Sequence, residues 1–225
     1  MKRQFYLLLV CLLPMVCYAQ AIEVELLPSL PEPVSNNAVS LIKSKEGVTL
    51  FSFQGLASGK TQNGIHNKVW ALKPDAPRWE EQKAVPAEKG RLAGVAVSAG
   101  GMAWLFGGYT VALDGSEKST PEVFKLQDNG QLEQVSSMPV PVDDMTAFVY
   151  RDRYIYLTSG WHDLGNVNLV QVLDIQTMSW AQATPYPGEA VFGHAGGMFE
   201  DRMLVCDGVR IEYSDDGSPW IAFCR

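Results

Sequence analysis

Histidine and cysteine are scarce in this chain, with three of the first and four of the second. None of them falls into a CxxC pair or an HExxH stretch, so no zinc-like ligand spacing is present. Cys11 and Cys17 lie in the N-terminal segment, which leaves Cys206 and Cys224, too few to frame a disulfide-built fold. Positive charge is also short: 18 Lys and Arg stand against 25 Asp and Glu, a formal net charge of −7. Without a basic excess the chain has little to neutralise phosphates with, which argues against nonspecific nucleic-acid binding. No basic amphipathic stretch suits a membrane surface. Missing too is any interval of ten or more residues at helical period with caps; frequent Gly and Pro discourage helices further.

What is present begins with a leader. Met1-Lys2-Arg3 is followed by an apolar run from Phe5 to Val16 and by small residues at Ala19 and Ala21. Basic, apolar and small residues in that order make a secretory signal peptide, and the apolar run is too short to span a bilayer. Residues 1–19 are therefore expected to be removed, with cleavage after Ala21 equally compatible. The loss of Lys2 and Arg3 takes the formal charge from −7 to −9. Export permits a bridge between Cys206 and Cys224, but a free, buried Cys206 thiol inside the apolar "MLVCDG" is as well supported.

The main signal is a repeat. "LFSFQG", "WLFGG", "YLTSG" and "LVCDG" end on Gly55, Gly108, Gly160 and Gly208, separated by 53, 52 and 48 residues. A second set follows the first three: "KVWAL", "EVFKL" and "QVLDI", whose Val69, Val123 and Val172 lie 54 and 49 apart. A third set precedes the glycines, in "NAVSLI" from Asn37, "GVAVSA" from Gly94, "TAFVY" from Thr146 and "HAGGMF" from His194. Trp79, Leu132 and Trp180 mark a fourth position. Each unit thus supplies four strand-length segments joined by charged or glycine-containing turns. The expected architecture is all-β, one four-stranded antiparallel sheet per repeat, stacked radially as a propeller. The expected bounds are a lead-in at 20–35, repeats near 36–86, 90–139, 142–187 and a partial 191–208, and a tail at 209–225 that departs from the repeat.

The glycine stops, the aromatic Tyr109 after one of them and the late tryptophans resemble the kelch repeat. From about Asn36 to Gly208 the chain looks like the galactose-oxidase-like propellers, including the exported N-acetylneuraminate mutarotase-like branch. Only the second repeat carries the full Gly107-Gly108 pair; Gln54, Ser159 and Asp207 replace the first glycine elsewhere, so that position tolerates side chains. The resemblance implies six or so blades, whereas about three and a half are present, so an incomplete propeller with an open, self-associating blade edge is expected. It also implies either mutarotation of an acidic sugar such as sialic acid, without a cofactor, or a non-catalytic carbohydrate- or protein-binding module in the periplasm of a Gram-negative bacterium. Fold alone does not choose between them. Copper chemistry of the galactose-oxidase kind is not expected, because His66, His162 and His194 are dispersed and no suitable Tyr and Cys accompany them.

Two sets of residues are candidates for a site. Counting back 17 residues from Gly108 and Gly160 gives Arg91 and Asp143, with Asp144, His194 and Asn37 nearby. Arg91 would hold a substrate carboxylate, Asp143 or Asp144 would take a proton, and His194 would shuttle one. The competing reading makes the aspartates turn-closing acceptors and Arg91 a clamp between blades. After the glycine stops, "GWHDLGNVN" brings Trp161, His162, Asn166 and Asn168, and "GKTQNGIHNK" brings His66 and Asn67. Trp161 would stack on a sugar ring beside the amides, or else pack against the next blade.

Overall fold

The computed structural model describes residues 24, 26–45, 47–127 and 130–223; the expected leader and Cys224 lie outside them. The first sheet contains β1 (Val34–Ser35), β2 (Ala38–Ser44), β3 (Gly47–Ala57), β4 (Ile65–Leu72) and β5 (Glu80–Gln82). In the second are β6 (Val95–Ala99), β7 (Met102–Phe106), β10 (Glu122–Leu126) and β11 (Leu132–Ser137), with β8 (Tyr109–Val111) and β9 (Glu117–Ser119) as a small ribbon between β7 and β10. The third repeats this with β12 (Thr146–Tyr150), β13 (Tyr154–Thr158), ribbon strands β14 (Trp161–His162) and β15 (Gly165–Asn166), then β16 (Val170–Asp174) and β17 (Ser179–Gln182). A fourth unit holds β18 (Ala195–Phe199), β19 (Arg202–Cys206) and a ribbon of β20 (Val209–Tyr213) and β21 (Pro219–Phe223). All pairings are antiparallel, and the innermost strands β2, β6, β12 and β18 contact one another in succession. This is an all-β propeller with three complete blades and part of a fourth among the described residues.

Alternation along the strands builds two cores, one between each pair of complete blades. Phe51, Phe53, Val69, Leu105, Phe124 and Leu132 close the first; Phe106, Val123, Met145, Ile155, Leu157 and Leu173 close the second. Each fully buried aromatic or aliphatic side chain contributes about 1.5–3 kcal/mol. Trp180 joins blades two and three, its indole edge-on to Phe106 and its Nε1 donating to Ser136 Oγ at 2.9 Å. Trp79 donates to the Pro28 carbonyl at 2.8 Å, and Lys68 pairs with Glu32 at 2.5 Å, so the lead-in is fastened to blade one.

Three expectations change. The tail does not abandon the repeat: β20 and β21 form the counterpart of the β8–β9 ribbon. Their turns match closely. Ser116 N donates to Asp114 Oδ1 at 3.0 Å and Ser218 N to Asp216 Oδ1 at 2.9 Å, in the shared Asp-Gly-Ser. The partner of Val69 and Val123 is Val170 rather than Val172, since Phe53, Phe106 and Thr158 face these three in turn. A two-residue slip keeps the same face of a strand, which is why the valine spacing looked correct. Cys206 is exposed instead of buried, and among the described residues β19 pairs with β18 alone.

The channel axis is organised by one residue per blade. Asn36, Ala93, Asp144 and Gly193 all have left-handed backbones, with φ of 53°, 54°, 48° and 61°. Ala93 N donates to Asn36 O at 3.4 Å, Asp144 N to Ala93 O at 3.0 Å, and Gly193 N to Asp144 O at 2.9 Å. The bonds run blade to blade around the axis. Asn and Asp adopt this conformation readily, but an alanine there is disfavoured by roughly 1–2 kcal/mol. Glycine would relieve that strain while adding about 0.4–1 kcal/mol of unfolded-state entropy. Ala93→Gly should therefore raise stability by about 0.5–1 kcal/mol in urea unfolding; a loss would mean that the Ala93 methyl is held by packing.

Candidate functional site

The left-handed residues turn the chain into the innermost strands at one end of the channel, and each strand begins two residues later. Asn36, Asn37, Ala93, Gly94, Asp144, Met145, Gly193 and His194 thereby line an open cavity of about 250 Å³. Four successive blades each contribute to it. Asn36 is exposed, whereas Asn37 donates its amide to Ser52 Oγ at 2.9 Å. The carboxyl of Asp144 is pushed up to about 6, first by burial and then by the charge of Glu117 on β9.

Asp143 is placed differently from its neighbour. It is 2% exposed and accepts from Ser119 Oγ at 2.6 Å. Ser119 N in turn donates to Asp163 Oδ1 at 2.8 Å, and Asp163 N to Ser119 Oγ at 3.1 Å. Asp143, Ser119 and Asp163 therefore clasp blade two to blade three. Burial raises the Asp143 carboxyl to about 7 against the lowering effect of the Ser119 bond; Asp144, Glu117 and Asp163 raise it further. The count of 17 residues had matched Asp143 with Arg91, but the backbone pairs Asp143 with Trp161 as it pairs Leu92 with Tyr109. Blade three carries one extra residue in the turn between β12 and β13 (151–153, against Gly100-Gly101 in blade two), so Val142 fills the position equivalent to Arg91.

Arg91 is absent from the cavity. Its guanidinium is 4% exposed, lies 5.3 Å from the Phe124 ring centroid and pairs with Glu122 at 2.9 Å. Burial lowers its pKa and Glu122 opposes that. The guanidinium is thus held within blade two, and only the Arg91 carbonyl reaches blade one, accepting from Gly55 N at 3.3 Å. His194 does line the cavity, at 8% exposure, and neither ring nitrogen has a hydrogen-bond partner of full geometry. Burial lowers its pKa, countered by the backbone of Thr158.

The residues after the glycine stops are dispersed among structural contacts. Trp161 packs edge-on against Phe192 of the next blade, ring centroids 5.6 Å apart. His162 Nδ1 lies 2.8 Å from the Pro141 carbonyl, and Asn166 Nδ2 donates to Ile211 O at 3.4 Å. Asn168 is exposed, with its carbonyl accepting from Tyr186 N at 2.9 Å. Asn67 accepts from Gln54 Nε2 at 3.0 Å and donates to Ala87 O at 2.9 Å. His66, half-buried with its pKa lowered by desolvation, accepts from Lys68 N at 3.4 Å. None of these six lines the cavity.

Three residues near the cavity escaped the sequence reading. Asn36 was readable as an asparagine in a left-handed turn before a strand. Tyr109 and Glu117 come from the ribbon of blade two; Tyr109 was marked only as the aromatic after a glycine stop, and Glu117 by no motif. The Tyr109 phenol is pushed up to about 12, by burial first and then by Glu117, Asp144 and Asp143, so it stays a neutral hydroxyl donor at neutral pH. Among the described residues, no three His, Cys, Asp or Glu side chains converge as a metal site, and no helix is long and apolar enough to cross a membrane.

No protein-family model matches the chain, and no curated protein sequence does either. Among solved structures, that of YjhT is similar at 16% sequence identity with a TM-score of 0.66, covering 87% of this chain and 67% of YjhT. At that identity the likeness establishes the propeller fold and nothing about chemistry.

Proposed function

We propose that this chain is an exported carbohydrate-binding propeller module, of periplasmic location, whose ligand sits at the channel mouth. One observation carries the reading: Asn36, Asn37, Asp144 and His194, from three different blades, line a single cavity of about 250 Å³ with room for one sugar ring. Carboxamides and a carboxylate are the groups that bond sugar hydroxyls, and an open dish suits a ligand that remains partly hydrated. The reading is tested by saturation-transfer NMR of the purified chain with a panel of monosaccharides. Asn36→Gly keeps the left-handed backbone and removes the amide, and should weaken binding at least fivefold without changing the unfolding midpoint by more than a few degrees. An unchanged affinity would remove the mouth from consideration.

A second reading, cofactor-free mutarotation, is favoured by the Asp144 carboxyl, which sits near 6, where a group exchanges protons readily at neutral pH. Asp144 would take the anomeric hydroxyl proton while the ring oxygen gains one and the ring C–O bond breaks; after rotation in the open carbonyl form, the reverse transfers close the ring and leave Asp144 as it began. The same NMR samples discriminate: binding with no faster anomer exchange supports the module, and faster exchange that Asp144→Asn removes supports the enzyme.

A further inference from the structure

We propose that β19 receives an extended peptide as an added antiparallel strand, one that carries large apolar side chains two residues apart. β19 does not line the channel mouth, so this second site stands or falls apart from the first. In blades two and three the second strand is central: β7 lies between β6 and β10, and β13 between β12 and β16. The outer edges of those blades are polar, with Glu133 and Gln134 in β11 and Gln182 in β17. Such residues discourage a further strand. β19 is different. Its "RMLVC" has one charge, at the start, and the composition of a central strand, yet among the described residues it pairs with β18 alone.

The free edge presents its hydrogen-bonding groups in a fixed order. The two-residue turn Glu200-Asp201 makes Phe199 and Arg202 a pair that exchanges both hydrogen bonds. Alternation then turns the N–H and C=O of Met203 and Val205 away from β18. Their counterparts Ile155 and Leu157 face Leu173 and Gln171 of β16. Just beyond, Gly107 N donates to Glu122 O at 3.2 Å and Ser159 N to Leu169 O at 2.9 Å, whereas Asp207 N makes no backbone hydrogen bond among the described residues. A groove runs beside this edge. Two cavities of about 500 and 220 Å³ share Tyr186 and Val205, follow β19 from Met203 to Asp207, and are lined also by residues from 183–189. That shape suits an extended chain. The repeat shows which side chains fit. Blade three covers blade two with the buried Leu173 and with Trp180, edge-on to Phe106; blade two covers blade one with Phe124 and Leu126. All four come from third and fourth strands. The surface that blade three offers in turn, at Tyr156, Val170 and Tyr186, lines the larger cavity. A strand seated on β19 sets one side chain opposite Met203 and one opposite Val205, both toward that surface.

The probe is a synthetic peptide of residues 120–127, which carries Phe124 and Leu126 at that spacing, titrated by NMR into the purified chain without its leader. Binding should saturate at one peptide per chain. At saturation, amide hydrogen exchange of Met203 and Val205 should slow at least about fivefold, and by more than that of Leu204 and Cys206, which already bond to β18. The same peptide with Phe124→Ser and Leu126→Ser should bind at least about tenfold more weakly. Because only the peptide is altered, the fold of the chain is not at stake in the comparison. No binding, equal affinity of the two peptides, or binding without the alternating protection would overturn the proposal. So would a concentration-dependent dimer that protects Met203 and Val205 in the absence of peptide, since the edge would then belong to a second copy.

Discussion

Gly160→Ala is expected to destroy cooperative unfolding or to lower stability by at least about 4 kcal/mol, an effect large for one methyl group. Gly160 has φ of +113°, and a Cβ placed on it would lie 2.5 Å from the Asp143 carbonyl oxygen and 2.6 Å from Val142 Cγ1. Both obstacles belong to the turn that enters the same blade, and Gly160 N donates onward to Val191 O of the next blade at 2.7 Å. Neither side can withdraw without opening an interface. The backbone conformation is itself one that side chains avoid, worth about 1–3 kcal/mol. Gly55 and Gly208 share it at +117° and +113°, and Gly108 has +88°. The preceding position differs: Gln54, Gly107, Ser159 and Asp207 have φ of 57°, 55°, 56° and 58°, in the left-handed well that side chains can occupy. Ser159→Gly should accordingly cost only about 1–2 kcal/mol, the worth of a hydroxyl that accepts from Val191 N at 3.0 Å and lies 2.8 Å from the Val167 and Val191 carbonyls. Equal losses at the two positions, measured by urea unfolding, would contradict this account of the repeat.

Asp143→Asn is expected to stabilise the protein by about 2–4 kcal/mol at pH 8 and hardly at all at pH 4. The folded-state carboxyl titrates near 7, well above the roughly 3.9 of an unfolded aspartate. The folded state therefore holds its proton more tightly than the unfolded one, and stability falls as pH rises from about 4 to above 7. Below the unfolded value both states are protonated and the difference vanishes. Asparagine keeps an oxygen to accept from Ser119 Oγ and carries no charge to desolvate. For a chain of this size the gain corresponds to a midpoint roughly 5–15 °C higher. Wild-type unfolding midpoints that coincide at pH 5 and pH 8 would show that Asp143 is hydrated in the folded state.

The cavity at the channel mouth was half legible in the sequence. Asp144 and His194 were both identified at the edges where first strands begin, and they do share a cavity. Arg91 was grouped with them because it sits at a comparable distance from its glycine, yet its guanidinium is held within blade two. Spacing along a strand says which face a side chain takes only when the register is known, and one extra residue in the 151–153 turn, between Asp143 and Gly160, was enough to mismatch Asp143 with Arg91. The tail was misjudged for another reason. Its Asp-Gly-Ser turn repeats that of residues 114–116, but ribbon strands of different length concealed the correspondence.

The sequence by itself determined the elements and their faces: alternation gives the strands, and four glycines about fifty residues apart give the repeat. It also determined where side chains are forbidden, since a backbone at φ near +113° leaves only glycine at Gly160 and Gly208. Only the tertiary structure decided which polar residues meet. Asn36 and Asp144 are more than a hundred positions apart and come together because Ala93 lies between them in a run of backbone hydrogen bonds from blade to blade. Asp143, one residue from Asp144, is directed into a clasp with Ser119 and Asp163. Local pattern sets the periodicity of each strand, whereas the meeting of blades depends on curvature summed over every sheet, and no single segment of the chain encodes that sum.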